Sequence, residues 1–207
     1  MPHPNLDDIA RRPQKYWNVD GLPELIMGLL WMLWGGAWLL GEALPRGWPW
    51  SIYWMFTPVL LVFTGLAAVR TTKWLKARYT FPRTGYVEWK EPDRRTNLAA
   101  GAIAIVTALV LVTILRGDRE SGQYAAPVLG VILSLAFVVL SLRQRAPHYL
   151  ALAGVALALG AALGTIRGGW SSANLLFVGV GAATSLIGAV RLAFFMRKHP
   201  RPWLGEA

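Results

Sequence analysis

Long apolar runs constrain this chain before anything else does. Six of them punctuate the sequence: approximately Leu22 to Glu42, Ser51 to Val69, Leu98 to Leu115, Ala125 to Leu142, Tyr149 to Ile166 and Ala173 to Leu192. Each approaches the roughly 20 residues that a helix needs to cross a bilayer core of about 30 Å. The runs are continuously apolar and lack the alternation of a barrel wall, so helices are expected rather than membrane strands. The predicted fold is an all-α integral membrane protein, a bundle of six transmembrane helices.

Charge sets the expected orientation. The 207 residues carry 21 Lys and Arg against 11 Asp and Glu, and every basic residue but Arg191, at the end of the last run, lies outside the apolar runs. With the N-terminus inside, 17 of them fall on the inner side, leaving Arg46, Arg116, Arg119 and Arg167 outside. That asymmetry predicts both termini in the cytoplasm, and the expected location is a bacterial inner membrane. No nucleic-acid-binding motif accompanies the basic excess, and its expected partners are membrane lipids with anionic head groups. About twenty polar residues precede the first run, so it reads as a retained span and not as a cleaved leader.

The resulting organisation is a cytoplasmic interfacial segment at 1–20, two spanning helices at 21–69, a cytoplasmic loop at 70–96, four further spanning helices at 97–195 and a basic cytoplasmic tail at 196–207. Within the loop, Tyr79, Thr80, Phe81, Tyr86, Val87 and Trp89 favour strands, and Pro82 with Gly85 supplies a turn. A small β-hairpin from Arg78 to Lys90 is therefore expected between the second and third runs. An isolated hairpin is marginal in water, so Tyr79, Phe81, Arg83, Tyr86 and Trp89 are candidate partner contacts. Arg197, Lys198 and Arg201 are candidate lipid contacts.

Small residues mark the helix faces that pack. Gly21, Gly28 and Gly35 recur every seven residues in the first run, and Gly181, Ser185 and Gly188 form a similar row in the last. Gly154, Gly160 and Gly164 mark the fifth. Close backbone approach is what such rows permit, within one chain or between copies. Trp31, Trp34 and Trp38 lie on another face of the first run, as packing or as a stacking platform. Pro58 removes one hydrogen bond from the second run and predicts a kink.

Chemistry is sparse. Cysteine is absent, which excludes disulfides, thiolate metal sites and a Cys nucleophile. His3, His148 and His199 are far apart and show no zinc or haem spacing. The middles of the six runs hold no charged residue. Glu24 falls in a first helical turn, where a carboxylate complements the helix dipole. With Trp31, Trp34 and Pro58 it is nonetheless the candidate solute site or hinge. The expectation is a protein without catalytic or metal residues and without a cofactor: a subunit, scaffold or regulatory partner assembling through its small-residue faces and hairpin, as a homo-oligomer or with a membrane-protein partner. The alternative is a small transporter or channel for a neutral or lipid-like solute.

Overall fold

Backbone groups in hydrocarbon have no water to bond, and the chain satisfies them within helices. The computed structural model describes residues 20–45, 47–84, 124–144, 146–166 and 169–200. Its helices are α1 (Leu22–Ala43), α2 (Trp48–Leu75), α3 (Ala125–Gln144), α4 (His148–Ile166) and α5 (Trp170–Lys198). Four of these, α1, α3, α4 and α5, are long and apolar enough to cross a membrane, and α2 with its continuation makes five if its bent halves are one span. The expected third run, Leu98 to Leu115, lies outside the described residues, as does all but the last residue of the interfacial segment expected at 1–20.

Beyond Leu75 the chain does not leave the helix. It widens into a π-helical turn, Lys76–Thr80, and closes with one α turn, Phe81–Thr84. This corrects the hairpin: Tyr79, Thr80 and Phe81, its expected first arm, are helical, and no strand occurs among the described residues. The expected second arm, with Tyr86 and Trp89, falls outside them. Strand propensity is a weak preference that a continuing helix overrides. Pro82 also fits, because the ring of a proline clashes with the carbonyl four residues earlier. That carbonyl belongs to Arg78, inside the widened turn.

Helices α1 and α5 run antiparallel with their glycine rows facing each other. A Cβ at Gly28 would collide with Ser185 and Gly181, one at Gly188 with Gly21 and Leu25, and one at Gly35 with Asn174. Helices α3 and α4 meet through a second close approach, in which a Cβ at Gly160 would lie 2.8 Å from the Cα of Gly130. Both small-residue contacts are thus made inside one chain. Leu152, Ala156, Leu176 and Val180, all fully buried, fill the space between α4 and α5, with Phe137 and Tyr149 stacked beside them at 6.2 Å. The outward faces carry exposed Leu, Val and Phe, as a surface in contact with lipid tails would.

Helix α2 stands at the side of the bundle. It bends by 45° across the break between Thr57 and Val62, which includes Pro58, a residue with no backbone N–H to donate within the helix. Tyr53 Oη donates to the carbonyl of Ala37, and Trp34 Nε1 donates to Thr64 Oγ1 at 3.1 Å. These two bonds tie α2 to α1 on either side of the bend.

Candidate functional site

The segment Asp20-Gly21-Leu22-Pro23-Glu24 builds the centre of a buried ionic cluster. Gly21 has φ +74°, and a Cβ there would meet the Gly188 carbonyl and Arg191 Cβ. Glycine alone combines that conformation with that closeness at no steric cost. The turn folds Asp20 back over the start of α1, where its Oδ1 accepts the Leu22 N–H at 3.2 Å. One donor of the first helical turn is thereby satisfied. Pro23 follows where no donor is needed.

Asp20 is the first of two hubs. Lys76 Nζ lies 3.0 Å from both of its carboxylate oxygens, and Thr80 Oγ1 donates to Oδ2 at 2.7 Å. The π turn places Lys76 and Thr80 on the same side. Such turns recur at functional positions in helices. Asp20 and Lys76 are 0% and 1% exposed, so the pair is sealed from water.

Glu24 is the second hub, itself 2% exposed. Its Oε1 accepts from Tyr149 Oη at 2.9 Å and from Arg191 Nη1, and His148 Nε2 stands 3.2 Å away. Arg191 Nη1 also lies 2.8 Å from His148 Nε2. Glu24 Oε2 is buried and has no hydrogen-bond partner among the described residues. Together the two hubs join α1, the π turn, α4 and α5. Two carboxylates face Lys76 and Arg191, so the formal charge balances when both are protonated and His148 is neutral.

This arrangement changes the meaning of Glu24. It complements the helix dipole, but it is also the meeting point of three side chains from two other helices. The sequence marks Glu24 as a candidate, yet not its partners. Lys76 reads there as one of several loop cations, and His148, Tyr149 and Arg191 as segment ends. Their one shared signal is position: each lies at the end of a run that the bundle brings to the same side.

At the opposite end, an apolar cavity of about 270 Å³ opens between α1, α3 and α5, lined by Trp34, Trp38, Leu129, Trp170 and Phe177. Asn174 sits on its rim and donates to Glu42 Oε1 at 2.9 Å. Of the expected tryptophan face, Trp34 and Trp38 reach this cavity. Trp31 instead packs into the core against Phe137 and Phe177, with ring centroids 5.8 and 6.4 Å away.

The remaining candidates are scattered. Arg83 caps α5, donating from Nη1 to the carbonyls of Met196 and His199, a contact that basic residues make at helix C-termini. Tyr79 and Phe81 are half-buried, and Arg197 and Lys198 are exposed in the last turn of α5. Arg201 lies outside the described residues. Pro58 lies at the bend of α2, far from both the ionic hubs in sequence. No family model, curated protein or solved structure matches this chain.

Proposed function

We propose that the chain is a non-enzymatic membrane carrier that takes a neutral, apolar or lipid-like solute into the tryptophan-lined cavity. The cavity carries the proposal: its walls are aromatic and aliphatic, with Asn174 as the polar group at the rim. Small-molecule sites have this composition. An engineered apolar cavity of about 150 Å³ takes benzene, so about 270 Å³ suits a single ring or a short stretch of acyl chain.

Six crossings with both termini inside complete the proposed picture. Helix α2 ends beside Asp20, whereas α3 begins at the cavity end, so one further crossing between residues 84 and 124 restores the alternation. Leu98 to Leu115 has the composition for it. Arg83, Arg197 and Lys198 gather at the Asp20 end, and the basic asymmetry supports reading that end as the cytoplasmic one. Assembly with a second copy or a membrane partner competes with solute uptake. Because α1 and α5, like α3 and α4, close their glycine faces on each other, that assembly would fall to other surfaces, such as the outer face of α2 with Phe56, Val59 and Phe63.

A diazirine-bearing short-chain alkyl probe tests the carrier. With the full chain in lipid nanodiscs, photolabelling is expected to concentrate on α1 and α5 around Trp38 and Phe177, and to fall at least severalfold in Leu129→Trp, which fills the cavity. Labelling spread evenly over the lipid-facing residues, Phe56 and Phe63 included, would refute uptake at this site.

A further inference from the structure

We infer that Glu24 is a proton-binding site of the membrane bundle, loaded from the aqueous end through His148. The inference is independent of the solute cavity and begins from an incompatibility among hydrogen bonds. His148 Nε2 lies 3.2 Å from Glu24 Oε1 and 2.8 Å from Arg191 Nη1. Arginine is a donor only, and a carboxylate is an acceptor only. Nε2 can therefore donate to Glu24 or accept from Arg191, but never both at once. The two bonding sets differ by whether Nε2 carries a proton.

In the first set, the imidazolium of His148 donates its Nε2–H to the Glu24 carboxylate, and Arg191 bonds Glu24 and not His148. In the second, that proton has passed to Glu24, which is now a neutral carboxylic acid, and the freed Nε2 lone pair accepts the Arg191 Nη1–H. A hydronium ion supplies the proton to His148 and is left as water. No other bond is made or broken. The proton arrives on Oε1, the oxygen that faces His148, and a half-turn of the carboxyl group carries it to the side where Oε2 is buried without a partner among the described residues, leaving the unprotonated oxygen to Tyr149 and Arg191.

Burial gives the pair a direction. The Glu24 side chain is 1% exposed, whereas His148 is 20% and Arg191 25% exposed. His148 thus lies on the exposed side of the carboxylate, as Arg191 does. A metal cation does not suit the same place, because Arg191 binds Glu24 directly and Lys76 adds a second positive charge to its field. No three of His, Asp and Glu converge as ligands among the described residues. Among the described residues, the groups that face Glu24 are His148 and Tyr149 from α4, Arg191 from α5, and Lys76 from the π turn, with Asp20 as the counter-charge of Lys76. Ionisable groups inside membrane bundles serve proton relays when they form such chains.

Infrared difference spectroscopy of the full chain in lipid nanodiscs tests this. Acidification is expected to raise a carboxylic-acid C=O band that Glu24→Gln abolishes and Glu42→Gln, at the exposed far end of α1, preserves. A spectrum with no such band down to the pH of unfolding, or a band that survives Glu24→Gln, overturns the assignment. Should Glu24→Gln fail to fold, His148→Gln gives a separate reading: the midpoint of the band moves by about one pH unit or more, while His199→Gln leaves it in place. An unmoved midpoint in His148→Gln would rule out the relay.

Discussion

Lys76 Nζ is equidistant from the two carboxylate oxygens of Asp20, 3.0 Å from each, across a contact that water does not reach. A buried pair of this kind contributes little net stability, but breaking it is costly because one charge is left uncompensated. Asp20→Asn or Lys76→Met alone is therefore expected to destabilise the protein by about 3–5 kcal/mol. The double variant, Asp20→Asn with Lys76→Met, is expected to recover most of that loss. Thermal unfolding in mild detergent reads all three. Additive losses in the double variant would show that the pair is not coupled.

Glycines in this bundle divide by what surrounds them. Gly28→Ala and Gly188→Ala place a methyl group against the backbone of a partner helix, and overpacking of that type costs about 1–3 kcal/mol. Gly36→Ala and Gly154→Ala meet nothing within 4 Å, and the gain in helix propensity makes them neutral or stabilising by up to about 1 kcal/mol. The ranking is checked by thermal melts of the four single variants side by side. Equal effects at all four positions would mean that the α1–α5 contact is looser than described.

The helix rows were readable from the amino-acid order because a seven-residue glycine repeat can express close packing without knowledge of the partner. Gly28 and Gly188 needed no more than spacing. The ionic hubs were not readable in that way. Asp20 meets Lys76 across 56 positions and Glu24 meets Arg191 across 167, and no local pattern encodes which segment ends converge. The hairpin failed for a different reason: Tyr79, Thr80 and Phe81 have the side chains of a strand, but the π turn let the helix continue through Pro82 and brought Thr80 to Asp20. Of the tryptophans, Trp34 and Trp38 announced a face, while Trp170, remote in sequence, completed the cavity.

Arg83 fixes the end of α5. Its guanidinium donates to two carbonyls at the end of the helix, so Arg83→Ala should cost about 0.5–1.5 kcal/mol, the net worth of an intramolecular hydrogen bond. The effect should be local. Hydrogen exchange is expected to speed up at the amides of Arg197 to His199 and to stay unchanged around Gly28. Uniform acceleration across the bundle would instead make Arg83 a global support.

Trp34 and Thr64 offer the cleanest separation of hydrogen bonding from packing. Trp34 lines the cavity and also donates Nε1–H to Thr64 Oγ1, and its ring lies 3.8 Å from a Cβ placed on Gly65. Thr64→Val keeps the shape of the side chain but removes the acceptor, leaving the indole N–H facing hydrocarbon. A half-buried donor without its partner costs about 1–3 kcal/mol. Trp34→Phe removes donor and part of the wall together, so it should destabilise through lost packing while making Thr64→Val nearly silent in the double variant. The expected double-mutant coupling is therefore about 1–3 kcal/mol, measured by unfolding in detergent. A coupling near zero would mean that the bond does not hold α2 against α1, and that the Pro58 bend is positioned by the Tyr53 contact to Ala37 instead.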